Sequence, residues 1–374
     1  MPRAKTRTRA LVVGAGAFGG WTALHLLRRG VAVTLCDAWG PANPRASSGD
    51  DTRVIRAAYG PDRIYVDLTL ASFPQWRALQ QETGQLVLRE TGALWLAMES
   101  DAWERAALGH LRDAGVRCEQ LSPVEAKRRH PLFDFSGVSW VLDEPGAGYL
   151  RARAACGLVL GRFLAEGGAY QETRIVPFES PPEADIVVYA CGPWLPKLFP
   201  DVVGDRIRPT RQEVFYFGLP SADGYRDGQL PVWLDRGPGT WYSIPSGGRG
   251  IKLASDDRGA PFDPDDGDRA VSAAGLAQAR AKLAQRLPSL ASAPFLDGKT
   301  CQYEQTADSH FIVDRHPAAP DVWLVGGGSG HGFKHGPAVG ELVAECALGR
   351  RKPEPKFLLG RLKQRDARRG TRDA

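Results

Sequence analysis

Gly14, Gly16 and Gly19, in the run Gly14-Ala15-Gly16-Ala17-Phe18-Gly19, together with Asp37 downstream, have the types and spacing to hold a dinucleotide. Gly14 permits a tight turn, Gly16 lets the backbone approach a pyrophosphate, and Gly19 lets a helix pack closely on its strand. The helix that starts there turns its N-terminal dipole and free amides toward the phosphates. Asp37 is placed to accept hydrogen bonds from ribose hydroxyls, and its charge repels a 2′-phosphate, which argues against NADP. The motif alone leaves the dinucleotide unidentified. The six cysteines, Cys36, Cys118, Cys156, Cys191, Cys301 and Cys346, form no C-x-x-C pair and show no zinc spacing. Six reduced thiols and no metal site are therefore expected.

The elements that must position these residues read clearly around the glycines. Leu11 to Val13 is a short apolar strand, Phe18, Trp21, Leu24 and Leu27 recur near helical spacing, and Arg28-Arg29 before Gly30 closes the helix. Val31 to Cys36 is a second buried strand ending at Asp37. Further along, helices are predicted over 65–82, 101–114, 122–129 (capped by Ser122), 154–166, 270–287 and 337–348. Strands are predicted over 91–96, 184–192 and 322–325, the last running into Gly326-Gly327-Gly328-Ser329-Gly330. From Val214 to Leu253 the residues alternate apolar and polar with turns such as Pro245-Ser246-Gly247-Gly248, the pattern of antiparallel sheet.

Parallel units at both ends with antiparallel segments between them predict a mixed α/β chain: a Rossmann-like dinucleotide domain interleaved with an antiparallel-sheet domain. The expected division assigns 1–90, 150–212 and 300–374 to the first, and 91–149 and 213–299 to the second. The chain has 374 residues, 43% hydrophobic and 24% charged, with net charge +5. Much of the positive excess lies in the tails, Pro2 to Arg9 and Arg361 to Arg372, without a nucleic-acid recognition motif. No run reaches the roughly 18 apolar residues of a membrane helix. A soluble, cytoplasmic monomer that binds neither nucleic acid nor membrane is expected.

Several separated segments, in order and over nearly the whole chain, resemble the amine-oxidising flavoenzymes of the D-amino-acid oxidase superfamily. The likeness is greatest to the monomeric sarcosine oxidase and N-methyltryptophan oxidase group. The segments are Gly14 to Gly19, Asp51-Thr52-Arg53-Val54-Ile55-Arg56-Ala57-Ala58-Tyr59-Gly60, Thr91 to Leu94, and Ala190-Cys191-Gly192-Pro193-Trp194. Arg211-Gln212, Gly250-Ile251-Lys252-Leu253, Cys301-Gln302-Tyr303 and Ser329-Gly330-His331-Gly332-Phe333-Lys334 complete the set.

The resemblance implies that the dinucleotide is FAD. It further implies that Cys301 is joined to the flavin through a thioether, a link that prevents loss of the cofactor and tends to raise its potential. Lys252 is implied to lie against the flavin and serve oxygen reduction, its buried ammonium stabilising negative charge as it develops. Arg56 and Lys334 are implied to hold the substrate carboxylate, Arg56 as a bidentate partner. Tyr242 and Tyr303 would line the substrate pocket. Thr52 and Arg53 would sit at the flavin, with Ser48, Ile175 and Gly192 also against the cofactor. Gly328, Gly330, Gly332, Phe333 and Lys334 would surround its pyrimidine end, with His331 as a neighbour.

Three departures from the group bear on substrate. Ser255-Asp256 stands where sarcosine oxidase carries a histidine after the lysine segment, so a carboxylate there either disfavours simple sarcosine or recognises a second basic group. Ser47-Ser48-Gly49-Asp50 lacks that enzyme's paired histidines, and the short stretch Thr173 to Ala184 leaves little room for a hairpin the group often has. The expected activity is FAD-dependent oxidation of a secondary amine or amino acid to an imine, with O2 reduced to H2O2. The alternatives are a flavin dehydrogenase with a non-oxygen acceptor and a biosynthetic tailoring enzyme acting on a larger amine.

Overall fold

The computed structural model describes residues 7–179, 184–221, 224–225, 228–237, 239–245 and 249–362. Its first unit is the one the glycines require: strand β1 (Arg9–Val13), helix α1 (Ala17–Arg28) and strand β2 (Ala32–Asp37). These strands lie inside a six-stranded sheet whose order is Ile312–His316, Ala319–Gly326, Ile186–Tyr189, β1, β2 and Ala169–Glu172. Every pairing in it is parallel except the one between Ile312–His316 and Ala319–Gly326. Helices pack on this sheet, so the stretches 10–13, 186–189 and 322–325 of its central strands are apolar, and Val12, Val188 and Leu324 are fully buried. Helix α1 and helix Gly336–Ala347 meet where Gly340 approaches Trp21; a methyl on Gly340 would lie 2.7 Å from that tryptophan's backbone.

The second sheet has eight strands, in the order Phe295–Gln305, Arg208–Phe217, Ile251–Ser255, Trp241–Pro245, Val232–Asp235, Ala93–Ala97, Trp140–Glu144 and Glu119–Leu121. It is antiparallel apart from Val232–Asp235, which runs parallel to Ala93–Ala97. Among the described strands of 214–253 the pairings with one another are antiparallel, as read from the alternation; the parallel partner comes from outside that range, and local alternation does not report which distant strand lies alongside. Strands Arg208–Phe217 and Phe295–Gln305 run across the expected boundaries at 212 and 300. A third sheet joins Arg53–Ile55, Gly148–Leu150 and Leu88–Arg89.

The predicted helices are present with ends shifted by a few residues: Arg63–Thr83, Ala102–Asp113, Pro123–Arg129, Ala152–Ala165, Ala273–Arg286 and Gly336–Ala347. Ser122 caps its helix in a reciprocal box with Glu125. No strand forms in the described part of 173–184, while 180–183 lie outside the described residues, as do 246–248 and most of both basic tails. Among the described residues no helix is long and apolar enough to cross a membrane, and no three or more His, Cys, Asp or Glu side chains are grouped so as to hold a metal ion.

Candidate active site

At the carboxyl ends of β1 and β2 the glycine loop opens one wall of a cleft with about 1190 Å³ of empty volume, its open mouth included. The three glycines act differently. Gly14 has φ +105°, and a methyl there would lie 2.4 Å from the Ala190 carbonyl oxygen. A methyl on Gly19 would lie 1.8 Å from the Gly14 carbonyl oxygen, so that glycine serves helix–strand packing. On Gly16 it would meet only the Ser48 hydroxyl, at 3.4 Å, and would otherwise project into the cleft.

Asp37 lines the same cleft and is already held by the protein. The amides of Ala15 and Trp39 donate to its two oxygens at 2.7 and 2.9 Å. Burial pushes its carboxyl above the usual range, and these amides pull it back. Ser48, Arg53, Ile175, Gly192, Gly328, Gly330, Gly332, Phe333 and Tyr303 join it on the cleft wall. The Ser48 hydroxyl accepts from the Ala17 amide at 3.2 Å, at the first turn of α1.

The end of the cleft lined by Arg53 leads to a buried charged cluster. Arg53 donates to the Ser47 carbonyl at 2.6 Å, to Asp50 at 2.8 Å and to the Cys301 sulfur at 3.2 Å. The Lys252 side chain is 0% exposed; its ammonium donates to Asp50 and, at 2.9 Å, to the Thr52 carbonyl. Burial lowers the lysine and Asp50 opposes that shift. Burial alone would raise Asp50, but Lys252 and Arg53 hold it far below the usual carboxylate range.

Beyond that cluster, Arg56 and Lys334 flank one tyrosine. The Arg56 guanidinium lies 3.8 Å from the centre of the Tyr59 ring, and Lys334 donates to the Tyr59 hydroxyl at 2.9 Å. Burial, with Arg56 nearby, lowers Lys334 well below an ordinary lysine. The Tyr59 hydroxyl also lies 2.7 Å from His335, which burial keeps neutral. Two amides just before Tyr59, of Ala57 and Ala58, donate to Glu144, whose carboxyl burial pushes up to about 7. Trp76 of helix Arg63–Thr83 donates to the Lys334 carbonyl at 2.8 Å and fixes that turn. Tyr303 donates to Asp256 at 3.1 Å, which brings the carboxylate noted in the sequence up to the pocket tyrosine.

The structure thus gathers the expected residues into three adjoining groups and leaves several off the cleft wall. Gly19 packs inside the fold, and Thr52, Cys301, Lys252, Arg56, Tyr242 and Lys334 lie behind or beside the wall. His331 is also off it, packed on Phe311 with its Nε2 at 2.9 Å from the Ser309 carbonyl. Sequence reasoning did not find Tyr59, Glu144, His335 or Glu304. Glu304 lines the cleft, accepts from the Gly327 amide at 3.1 Å, and has its carboxyl pushed up to about 7 by its enclosure. The one signal available was Tyr59 within the matching segment from Asp51 to Gly60.

The residues present fit a bound dinucleotide on two counts. The cradle at Gly16 is open where a side chain would fill it. In addition, the buried polar atoms Ser47 Oγ, Thr52 Oγ1 and Gln302 Oε1, on or near the cleft, have no protein hydrogen-bond partner. Such atoms are costly unless a ligand or water satisfies them.

Comparison with known proteins agrees. The family described as DAO, FAD dependent oxidoreductase, matches residues 9–346. The chain is 31% identical over 364 residues to the monomeric sarcosine oxidase of Bacillus sp. (strain B-0618), covering 92% of this chain and 93% of that enzyme. It is 26% identical to the N-methyl-L-tryptophan oxidase of Yersinia pestis (strain Pestoides F), over 92% of this chain and 95% of that one. Among solved structures, the L-proline dehydrogenase of P. horikoshii shares the fold, with a TM-score of 0.80 at 22% identity over 92% of this chain and 95% of that one. The loop at Gly14, the open cleft and the extent of these matches lead to one conclusion: the chain belongs to the DAO family of FAD-dependent oxidoreductases.

Proposed function

We propose that this protein is an oxidase of secondary amines or amino acids that carry a carboxylate, with dioxygen as the electron acceptor. The observation that carries this reading is the pair of cations on Tyr59: Arg56 on its ring and Lys334 on its hydroxyl. A substrate carboxylate held between them gives both cations a direct anionic partner, beyond the longer-range charges of Asp256 and Glu144. It also raises the lowered Lys334 toward its charged form, since an opposite charge favours ionisation. Holding the carboxylate fixes which carbon next to nitrogen faces the cofactor.

Bound FAD supplies the acceptor for two electrons. The substrate must arrive with its amine neutral, because the nitrogen lone pair becomes the second bond of the imine as the adjacent carbon loses a hydride equivalent. Tyr242 and Tyr303 bound the space around that carbon in this reading, and Asp256, on the Tyr303 hydroxyl and within electrostatic reach of Arg56 and Lys334, restricts which substrates are accepted there. Cys301 is proposed as the covalent tether; its sulfur accepts from the Arg53 guanidinium at 3.2 Å, and Arg53 itself lines the cleft. The six-stranded sheet is assigned to cofactor binding and the eight-stranded sheet to substrate, in a monomeric cytoplasmic enzyme.

The test is oxygen uptake and peroxide release with sarcosine, N-methyl amino acids, proline, pipecolate and D-amino acids. Turnover with any of them, lost in Arg56→Ala, supports the reading. A reduced protein indifferent to air but oxidised by an artificial acceptor would replace the oxidase by a dehydrogenase.

A further inference from the structure

Lys252 occupies a place where an ammonium ion is hard to keep. Its side chain is fully buried, and the Arg53 guanidinium belongs to the same cluster and disfavours a second positive charge. The groups facing it come from four elements. Asp50 and the Thr52 carbonyl come from the loop before Arg53–Ile55, and Tyr216 is its cross-strand neighbour on Arg208–Phe217. The Tyr242 ring, from Trp241–Pro245, has its centre 5.9 Å from the ammonium, and Cys301 comes from Phe295–Gln305.

Among these only Asp50 is a carboxylate, and both its oxygens are fixed. Tyr216 donates to one at 2.8 Å; Arg53, at 2.8 Å, and Lys252 donate to the other. The cluster of Arg53, Lys252 and Asp50 therefore carries two positive charges and one negative. Without Asp50 two cations would be buried together, and the proton would leave the lysine, because a guanidinium does not give one up.

We propose that Asp50 is the residue that keeps Lys252 cationic, and that it thereby sets the pH range over which dioxygen is reduced beside the lysine. The inference rests on the reading of Lys252 as the place where oxygen reacts. In that step dioxygen takes two electrons from the reduced cofactor and two protons, and leaves as hydrogen peroxide. The first electron creates negative charge on oxygen, and the surplus positive charge left by the Asp50 pairing is there to meet it. Asp50 touches neither reacting partner in this account and is a positioning residue.

The experiment mixes holoenzyme, reduced anaerobically with stoichiometric dithionite, with oxygenated buffer and follows the return of the oxidised absorbance between about pH 6 and pH 10. Lys252→Met is expected to slow reoxidation by about 100-fold or more at every pH. Asp50→Asn is expected to match wild type at the acid end, then to fall about tenfold per pH unit from a midpoint at least about one unit lower. Asp50→Glu keeps the charge and the wild-type profile. In protein with isotope-labelled lysine, the Lys252 resonance, identified by its loss in Lys252→Met, should titrate at lower pH in Asp50→Asn. Where Asp50→Asn fails to fold, Asp50→Ser leaves room for water on the lysine and carries the same expectation. A profile and resonance that do not move overturn the role of Asp50. A Lys252→Met protein that reoxidises at the wild-type rate overturns the reading of Lys252 instead.

Discussion

The Arg56 guanidinium stacks on the Tyr59 ring, with 3.8 Å between guanidinium carbon and ring centre, and one of its nitrogens donates to the Ala58 carbonyl at 2.6 Å. The stack orients a planar fork whose remaining donors are available to a carboxylate. Arg56→Lys loses both the plane and the second donor. It should lower kcat/KM for a carboxylate-bearing amine by about 100-fold, or about 2–3 kcal/mol. Most of the loss should fall on KM. An equal loss for a substrate lacking the carboxylate would mean that Arg56 supports the fold rather than the substrate.

Gly16 and Gly19 should separate cofactor binding from folding. Gly16→Ala leaves a methyl in open cleft, so the protein should fold normally and bind FAD about 10- to 100-fold more weakly, the equivalent of about 1–3 kcal/mol of overpacking. Gly19→Ala drives a methyl into a backbone oxygen, and should lose more than about 3 kcal/mol of stability. Reconstitution of apoprotein in a Cys301→Ala background and thermal melts read the two effects. Equal stability losses at both positions would contradict the division.

Glu144 makes stability depend on pH in a direction opposite to that of most acids. Its carboxyl stands at about 7 in the folded chain against an ordinary 4.5, with burial as the cause. The folded state therefore binds the proton more tightly than the unfolded state between those values, and stability falls as pH rises through that window. The contribution amounts to about 3 kcal/mol, at about 1.4 kcal/mol per unit. In Glu144→Gln this component should vanish. Denaturant unfolding of both proteins at about pH 4.5 and pH 8 should give a difference between them that changes with pH. A constant difference would refute the assignment to Glu144.

The proposed tether at Cys301 has a direct test. Acid denaturation should leave the yellow colour on the wild-type polypeptide and release it from Cys301→Ala. The variant should still bind FAD in the folded state, because the cleft walls from Gly14 to Phe333 are unchanged. Colour lost to the supernatant from wild type would rule out the tether.

What the sequence made legible follows range. The unit from β1 to Asp37 was readable because strand, turn, helix and strand each carry their own periodicity, and Gly14, Gly16 and Gly19 have local steric reasons. Lys252, Arg56 and Lys334 entered through resemblance, and the structure places the last two on one tyrosine. The partners of these residues were not readable. Lys252 meets Asp50 across 202 positions, and Lys334 meets Tyr59 across 275. Nothing in either neighbourhood marks the other, because such contacts are decided by how two sheets are placed together. Glu144 was hidden for a related reason: a carboxylate at the end of an apolar strand reads as a solvated terminus until two amides are found on it.

Strand Phe295–Gln305 pairs with Arg208–Phe217 along most of its length, and its Gln302, Tyr303 and Glu304 also form part of the cleft wall. Cys301 and Tyr303 are two residues apart on it and so project to the same side. The proposed anchor and the cleft tyrosine therefore share one ruler. A slip of this strand by a single residue would not degrade one function and spare the other; it would turn both side chains away together. Selection on this enzyme can change the ring at position 303 or the sulfur at 301, but it cannot adjust the spacing between them.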